Sequence, residues 1–302
     1  MFVKIKTCTI KASEAEMKPY RLLETSRKYT EYDMIQKHTG VPEFPDTRVH
    51  LLHAFLNMKD QDDTVSHRGE LFPLVAGIVQ MAMDTHDMID TLAVHQEEEA
   101  MRARQLNVLA GDFFSSRFYE LLSKAGEIEM ISLLSAAICE TNRLKMNLYH
   151  NVQSEQFTAE QYVESLTQLK MELFILFTPY IPTEVAELWQ ALLVDFSRAE
   201  ILANELTRAH GEQGPFGSYA LYKVLAHVQE QNKENLMSDA VTTDHWNKWN
   251  QTYQINEHLR SELNAVLTDI KQRLAQAGYA ELQTEIVQLT EAYQDIASTK
   301  NR

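Results

Sequence analysis

Leu71-Phe72-Pro73-Leu74-Val75-Ala76-Gly77-Ile78-Val79-Gln80-Met81-Ala82-Met83-Asp84-Thr85-His86-Asp87-Met88-Ile89-Asp90 stays uncharged until its last turns, where the acids gather. Leu74, Val75, Ile78, Met81 and Ala82 recur at helical spacing, so Leu71 to about Leu92 reads as a buried helix that delivers carboxylates to one place. At about 100° per residue, His86, Asp87 and Asp90 fall within an arc of about 100°, with Asp84 on the neighbouring edge. Three groups of ligand type then converge, and Mg²⁺ is the ion such an arc would anchor, because it prefers carboxylate oxygen combined with substrate phosphate. Spacing alone favours a solvated helix face, since carboxylates commonly meet water. The apolar run leading up to the acids argues for the deeper placement.

Outward from this segment the pattern stays helical. Residues 1–44 read as an arm or short helix, with Pro42 and Pro45 marking its boundary, after which Asp46 can cap a helix carrying Val49, Leu52, Phe55 and Leu56. A polar loop from Lys59 to Arg68 follows. Gln105 onward opens a second long apolar helix running to about Lys124, Gly126 punctuates it, and residues 127–150 repeat the pattern. Thr158 begins another helix that ends before Pro179 and Pro182, and Thr183 to His210 forms the next, closed by the breakers Gly211 to Gly217. A shorter apolar helix is expected near Ser218–Gln231. Ile255, Leu259, Leu263, Val266, Ile270 and Leu274, then Leu282, Ile286, Leu289, Tyr293 and Ile296 beyond Gly278, suggest a C-terminal helical hairpin. The fold class is all-α, a multi-helix bundle over 45–235 with a C-terminal extension over 236–302 packed on it.

The 302 residues include only nine glycines and seven prolines, too few for a chain of many tight turns. A formal charge of -15 without a basic block argues against nucleic acid and anionic lipid as partners. Cys8 and Cys139 lack metal-type spacing and read as free thiols of a reducing compartment. No signal-type opening and no apolar run near the roughly 20 residues of a membrane span is found, so the expectation is a cytoplasmic protein.

Asp84-Thr85-His86-Asp87, the block from Arg104 to Ser115, and the blocks at Glu129, Ala136–Asn142 and Lys145–Tyr149 together resemble component 1 of bacterial heptaprenyl diphosphate synthase. The likeness spans about 45–235 and is densest over 78–150. It implies the isoprenoid-synthase fold and an accessory subunit pairing with a catalytic component 2, the pair extending farnesyl diphosphate with isopentenyl diphosphate toward the menaquinone side chain. It further implies that His86, Asp87 and Asp90, with Asp84, are a degenerate first aspartate-rich motif. His86 stands at the leading aspartate, and the following arginine pair is missing. A second aspartate-rich motif and an early diphosphate clamp are not found either. No catalytic residue is therefore assigned. Mg²⁺ is expected mainly on the partner, with Asp87 and Asp90 as weak candidate ligands, and isoprenoid diphosphates in a joint channel. The family block is Arg104, Gln105, Leu109, Ala110, Gly111 and Asp112, in which the glycine lets helices approach closely.

The remaining residues carry plainer readings. Asp112 reads as a helix cap, and Arg102 and Arg104 as surface ion-pair partners. Phe113, Phe114, Phe118 and Tyr119 could line a channel or a subunit contact, although aromatics at helical spacing favour a core. Trp246, Trp249 and Tyr253 could present an exposed docking stripe or pack the C-terminal helices. His50, His53, His95 and His227 are assigned no chemistry. Two rivals remain: a stand-alone terpene cyclase using Asp84, Asp87 and Asp90, for which Asn204, Arg208 and Glu212 give only an imperfect second motif, and an interaction protein on the same fold.

Overall fold

A computed structural model describes residues 21–38, 42–58, 63–89, 98–154, 156–208, 217–228 and 243–299. These residues form α1 (Arg21–Thr30), α2 (Asp33–His38), α3 (Asp46–Leu56), α4 (Asp63–Asp87), α5 (Glu98–Ala125), α6 (Ile128–Asn151), α7 (Ala159–Ile175), α8 (Ala186–Thr207) and α9 (Tyr219–Leu225). After them come α10 (Thr243–Tyr253), α11 (Ile255–Ala277), α12 (Ala280–Leu289) and α13 (Glu291–Ser298). No β-strand element is present among the described residues, as the glycine-poor, helix-periodic sequence implies. None of the described helices is long and apolar enough to cross a membrane.

The packing order makes a ring. α3 lies against α4, α4 against α5, α5 against α6, α6 against α7, α7 against α8, and α8 returns to α3. α11 covers the outer side of α8. Apolar faces turn inward to one continuous core that includes Phe55, Phe72, Ile78, Phe114, Phe174, Trp189, Phe196, Leu263 and Ile286. Burial of such side chains, about 1.5–3 kcal/mol each, is what holds the ring together.

Several local expectations meet their structural answer here. Thr158 does start α7: its hydroxyl accepts from the Gln161 N–H at 3.1 Å while Gln161 Oε1 accepts from the Thr158 N–H at 3.0 Å, a reciprocal capping box. Asp46 does not cap α3. It is the first helical residue, after Pro45, and its carboxylate faces His50 at 3.3 Å. The stretch read as a loop up to Arg68 already belongs to α4 from Asp63 on, and the helix carries straight through Pro73. Packing of the apolar face outweighs the backbone bond that proline removes. The C-terminal stripe forms α11, and Gly278, at φ 76°, ends it in the left-handed conformation that glycine adopts without strain. Its partner arm is not one helix but two, α12 against α3 and α13 against α8, with Tyr293 donating to Thr47 Oγ1 at 3.2 Å. Trp246 and Trp249 are buried rather than exposed, and Tyr253 stacks on His227 with ring centroids 5.2 Å apart. That stripe is packing. Cys8, His95, Glu212, and most of the breaker run at 211–216 lie outside the described residues.

Candidate functional site

The acidic end of α4 is only partly buried: Asp84 and His86 are half-buried, and Asp87 keeps 41% of its side-chain surface. His86 turns toward α5, where its Nε2 stands 3.7 Å from Asp112 Oδ1. A Cβ on Gly111 would lie 2.5 Å from the same imidazole, so the absence of a side chain there lets α5 approach α4. Asp87, one residue and about 100° further round, instead meets α6: Lys145 Nζ donates to its Oδ2 at 2.5 Å. Asp84, placed by the sequence on the edge of the arc, shares the Asp87 side, as an i, i+3 pair must. Asp90 lies outside the described residues. His86 and Asp87 thus take their polar partners from different neighbours of α4, although both border one cavity between α4, α5 and α6.

Asp84 and Asp87 line a partly open pocket of about 70 Å³ with Gln80, Met88, Thr141, Lys145, Leu169 and Lys170. Gln80 Nε2 donates to Asp84 Oδ1 at 2.8 Å. Gln80 Oε1 accepts in turn from Arg48 Nη1 at 3.4 Å. Arg48, on α3, is almost wholly buried, with 1% of its surface exposed. It donates through Nη1 to the Lys170 carbonyl and through Nε to Glu200 Oε2 at 3.1 Å, and its guanidinium lies 5.0 Å over the Phe174 ring. The other Glu200 oxygen meets Lys170 Nζ at 3.0 Å. One polar chain therefore runs Glu200–Arg48–Gln80–Asp84 across the bundle, with Asp87–Lys145 beside it.

Charge balance sets the electrostatics. Burial alone would raise the Glu200 carboxyl, but Arg48 and Lys170 outweigh it and hold the group down at about 2. Asp87 goes the other way. It keeps 41% of its side-chain surface, yet loss of surrounding water pushes its carboxyl up, and Lys145 only partly offsets this. Arg48, Lys145 and Lys170 carry three positive charges against three negative charges on Asp84, Asp87 and Glu200. The pocket is neutral without any added ion.

Mg²⁺ does not fit this donor set. The ion demands near-ideal octahedral oxygen ligation at about 2.0–2.1 Å. Both Glu200 oxygens already hold a cationic nitrogen, one Asp87 oxygen holds a third, and Lys145 and Lys170 would repel a divalent ion from the space between. No group of three or more His, Cys, Asp or Glu side chains placed to hold a metal occurs among the described residues.

Other candidate residues fall into place around this pocket. Asp112 sits in the middle of α5, so it is not a cap; an N-cap needs the free N–H groups of a first turn. Within the same block Ala110 and Gly111 face inward and Gln105 and Leu109 outward, while Arg104 is half-buried and Arg102 is exposed. Phe114 and Phe118 are core, Phe113 is half-buried against Tyr32, and Tyr119 is exposed and stacked on Phe118 at 4.1 Å. Phe118 also borders a second cavity of about 360 Å³ between α4, α5 and α6, whose wall joins Val79, Met83 and Ile138 to His86, Asp87, Asn142 and Lys145. His53 pairs with Glu70 at 3.3 Å, and Arg208 with Glu205 at 2.9 Å. Arg48, Lys170 and Glu200 were missed by motif reading. Each is a charge set in an apolar helix stretch, Val49–Leu52, Leu169–Phe174 and Phe196–Leu202, and such a charge requires a buried partner.

The ring of helices is the fold of the polyprenyl synthases. Geranylgeranyl pyrophosphate synthase from Lactobacillus brevis superposes with a TM-score of 0.67 over 90% of this chain and 93% of that one, at 13% identity. Octaprenyl pyrophosphate synthase from Helicobacter pylori does so with a TM-score of 0.61 over 92% and 97%, at 16% identity. Residues 32–254 match the family described as heptaprenyl diphosphate synthase (HEPPP synthase) subunit 1, and the chain belongs to that family. A stretch of 92 residues is 37% identical to heptaprenyl diphosphate synthase component 1 of Geobacillus stearothermophilus, covering 30% of this chain and 40% of that protein. The match thus spans well under half of that relative's length. The resemblance carried by the blocks at 84–87, 104–115 and 129–149 is borne out, and the family match is wider than the 45–235 those blocks suggest.

Proposed function

We propose that this chain is the accessory subunit of a two-component heptaprenyl or hexaprenyl diphosphate synthase and has no complete active site of its own. It assembles in the cytoplasm with a catalytic component 2, which extends farnesyl diphosphate with isopentenyl diphosphate for the menaquinone side chain and binds most of the Mg²⁺. The observation that carries the reading is an uncovered apolar face. Of the eleven large apolar side chains exposed among the described residues, eight lie on α5 and α6. Val108, Leu109 and Tyr119 line one helix, and Ile128, Met146 and Tyr149 the neighbouring one; Leu109 is 61% and Met146 67% exposed. Two adjacent helices presenting such residues are a surface that a partner helix pair covers. That Val108 and Leu109 belong to the block shared with the family supports a subunit contact as its purpose.

The inward side supports the same division of labour. Diphosphate ionisation needs cations held by free carboxylates, and here Lys145 pairs with Asp87 and the Gln80 amide bonds Asp84. A stand-alone cyclase acting through Asp84 and Asp87 is disfavoured for that reason. The test is an incorporation assay with farnesyl and isopentenyl diphosphates and Mg²⁺, run with this chain, with a component 2 chain, and with both, alongside co-purification. Long-chain product from the pair alone is the expected result. Product from this chain by itself overturns the accessory role, and failure to co-purify overturns the partnership.

A further inference from the structure

The pocket between α4, α6 and α7 invites a question the family membership does not answer: what holds its carboxylates together if no metal does. Asp84, Asp87 and Glu200 come from α4 and α8, Glu200 mostly buried, Asp84 half-buried and Asp87 partly exposed, and would repel one another if left unpaired. Each cationic nitrogen that meets them lies on a different element: Arg48 on α3, Lys145 on α6 and Lys170 on α7. Arg48 is fixed from four sides, by Glu200, the Gln80 amide, the Lys170 carbonyl and the face of Phe174. Lys170 uses both of its ends, its carbonyl on Arg48 and its ammonium on Glu200. A side chain with one surface ion pair does not look like this.

We propose that Arg48, Lys145 and Lys170 take the place of divalent cations at and behind this pocket, forming an ionic lock that ties α3, α4, α6, α7 and α8 together and closes the carboxylates it pairs to metal. The lock supplies the positive charge and bridges oxygens from separate helices, the two structural services a bound Mg²⁺ would give. A nitrogen cation does so at about 2.7–3.1 Å from oxygen, whereas a metal does so near 2 Å, and only the former needs no dehydrated ion. On this proposal the described carboxylates give the folded chain no preference for divalent ions over the unfolded state, so its stability ignores them. Removing one ammonium changes that. Lys170→Gln leaves one oxygen of the mostly buried Glu200 carboxylate without its ammonium, and an added cation then has a reason to enter. The lock belongs to the single chain and stands or falls independently of whether a component 2 is its partner.

The experiment uses the full chain, thermal unfolding with and without millimolar Mg²⁺, and Mn²⁺ binding followed by the paramagnetic signal of the free ion. The wild-type midpoint is expected to ignore Mg²⁺, and Mn²⁺ to remain free. Lys170→Gln is expected to unfold roughly 5–10 °C lower, to gain about 10-fold or more in Mn²⁺ affinity, and to recover part of the lost midpoint in Mg²⁺. The exposed Lys248→Gln serves as the control for simple loss of a charge and is expected to do none of these. Should Lys170→Gln fail to fold, Lys145→Gln beside Asp87 is read by the same three measures. Wild-type Mn²⁺ binding that disappears in Glu200→Gln overturns the proposal. So does a folded Lys170→Gln chain that remains blind to Mn²⁺.

Discussion

Two surfaces of the same ring are built on opposite principles. The inner pocket is crowded with charge, and every charge described there has a partner: Arg48 and Lys170 on Glu200, Lys145 on Asp87, Gln80 on Asp84. The outer face of α5 and α6 carries apolar side chains that have none, with Leu109 and Met146 turned to solvent. A site poised for chemistry keeps its charged groups available for a ligand, and a monomer's outer face hides its large apolar groups. In this chain both habits are reversed. Under the proposed function, the difference places the unmet binding capacity outside, for another protein, rather than inside, for a metal and a diphosphate.

That contrast can be broken from either side. The largest effect is expected from Arg48→Met, which strands Glu200 with one cation and cuts the link to Gln80. Breaking a buried pair in this way costs about 3–5 kcal/mol, measurable by denaturant unfolding. The same pair sets an acid limit. Because the Glu200 carboxyl is held down at about 2, its contribution is complete above about pH 4.5 and drains away as pH falls toward 2. Glu200→Gln removes that part of the acid-unfolding profile, and a profile identical to wild type would contradict the ion pair. On the outer face, Leu109→Asp combined with Met146→Asp is expected to weaken assembly with a component 2 chain by about 2–4 kcal/mol while leaving the unfolding midpoint of the free chain almost unchanged. A matching loss in the midpoint would mean that these residues belong to the fold instead.

A smaller effect probes the contact between α4 and α5. Gly111→Ala introduces a Cβ against the tip of the half-exposed His86 ring, which can turn aside, so the cost is expected at the low end of overpacking, about 1 kcal/mol or less. His86→Ala in the same chain is expected to return most of that loss. Smallest of all is the catalytic effect of Asp87→Asn. Turnover of the assembled complex is expected to stay within about 2-fold of wild type, and a loss of several orders of magnitude with assembly intact would make Asp87 a participant in the reaction.

What could be read in advance divides along the same physical line. Helix α7 was legible because its start is written in four consecutive residues, Thr158 to Gln161, and the bonds they make are local. The inward face of α4 was legible from the spacing of Ile78, Met81 and Ala82. The direction of its acids was not, since one helical step separates the Asp112 side of α4 from the Lys145 side, and only the packing of α5 and α6 says which neighbour each step meets. Asp112 was misread as a cap because α5 begins well before the apolar run that marks it. The burial of Trp246 and Trp249 likewise depended on which helix covers α10, something a stripe of aromatics does not specify.

The chain's own order of residues determined that it would be all-helical, where the apolar faces lie, and to which family it belongs, because periodicity, caps and ordered motif blocks are properties of neighbours along the backbone. Only the tertiary structure decided that Arg48 and Glu200, 152 residues apart, would close on each other. The same is true of the apolar face left open on α5 and α6. Both depend on how whole helices pack, and a buried charge finds its partner across the bundle rather than along the chain.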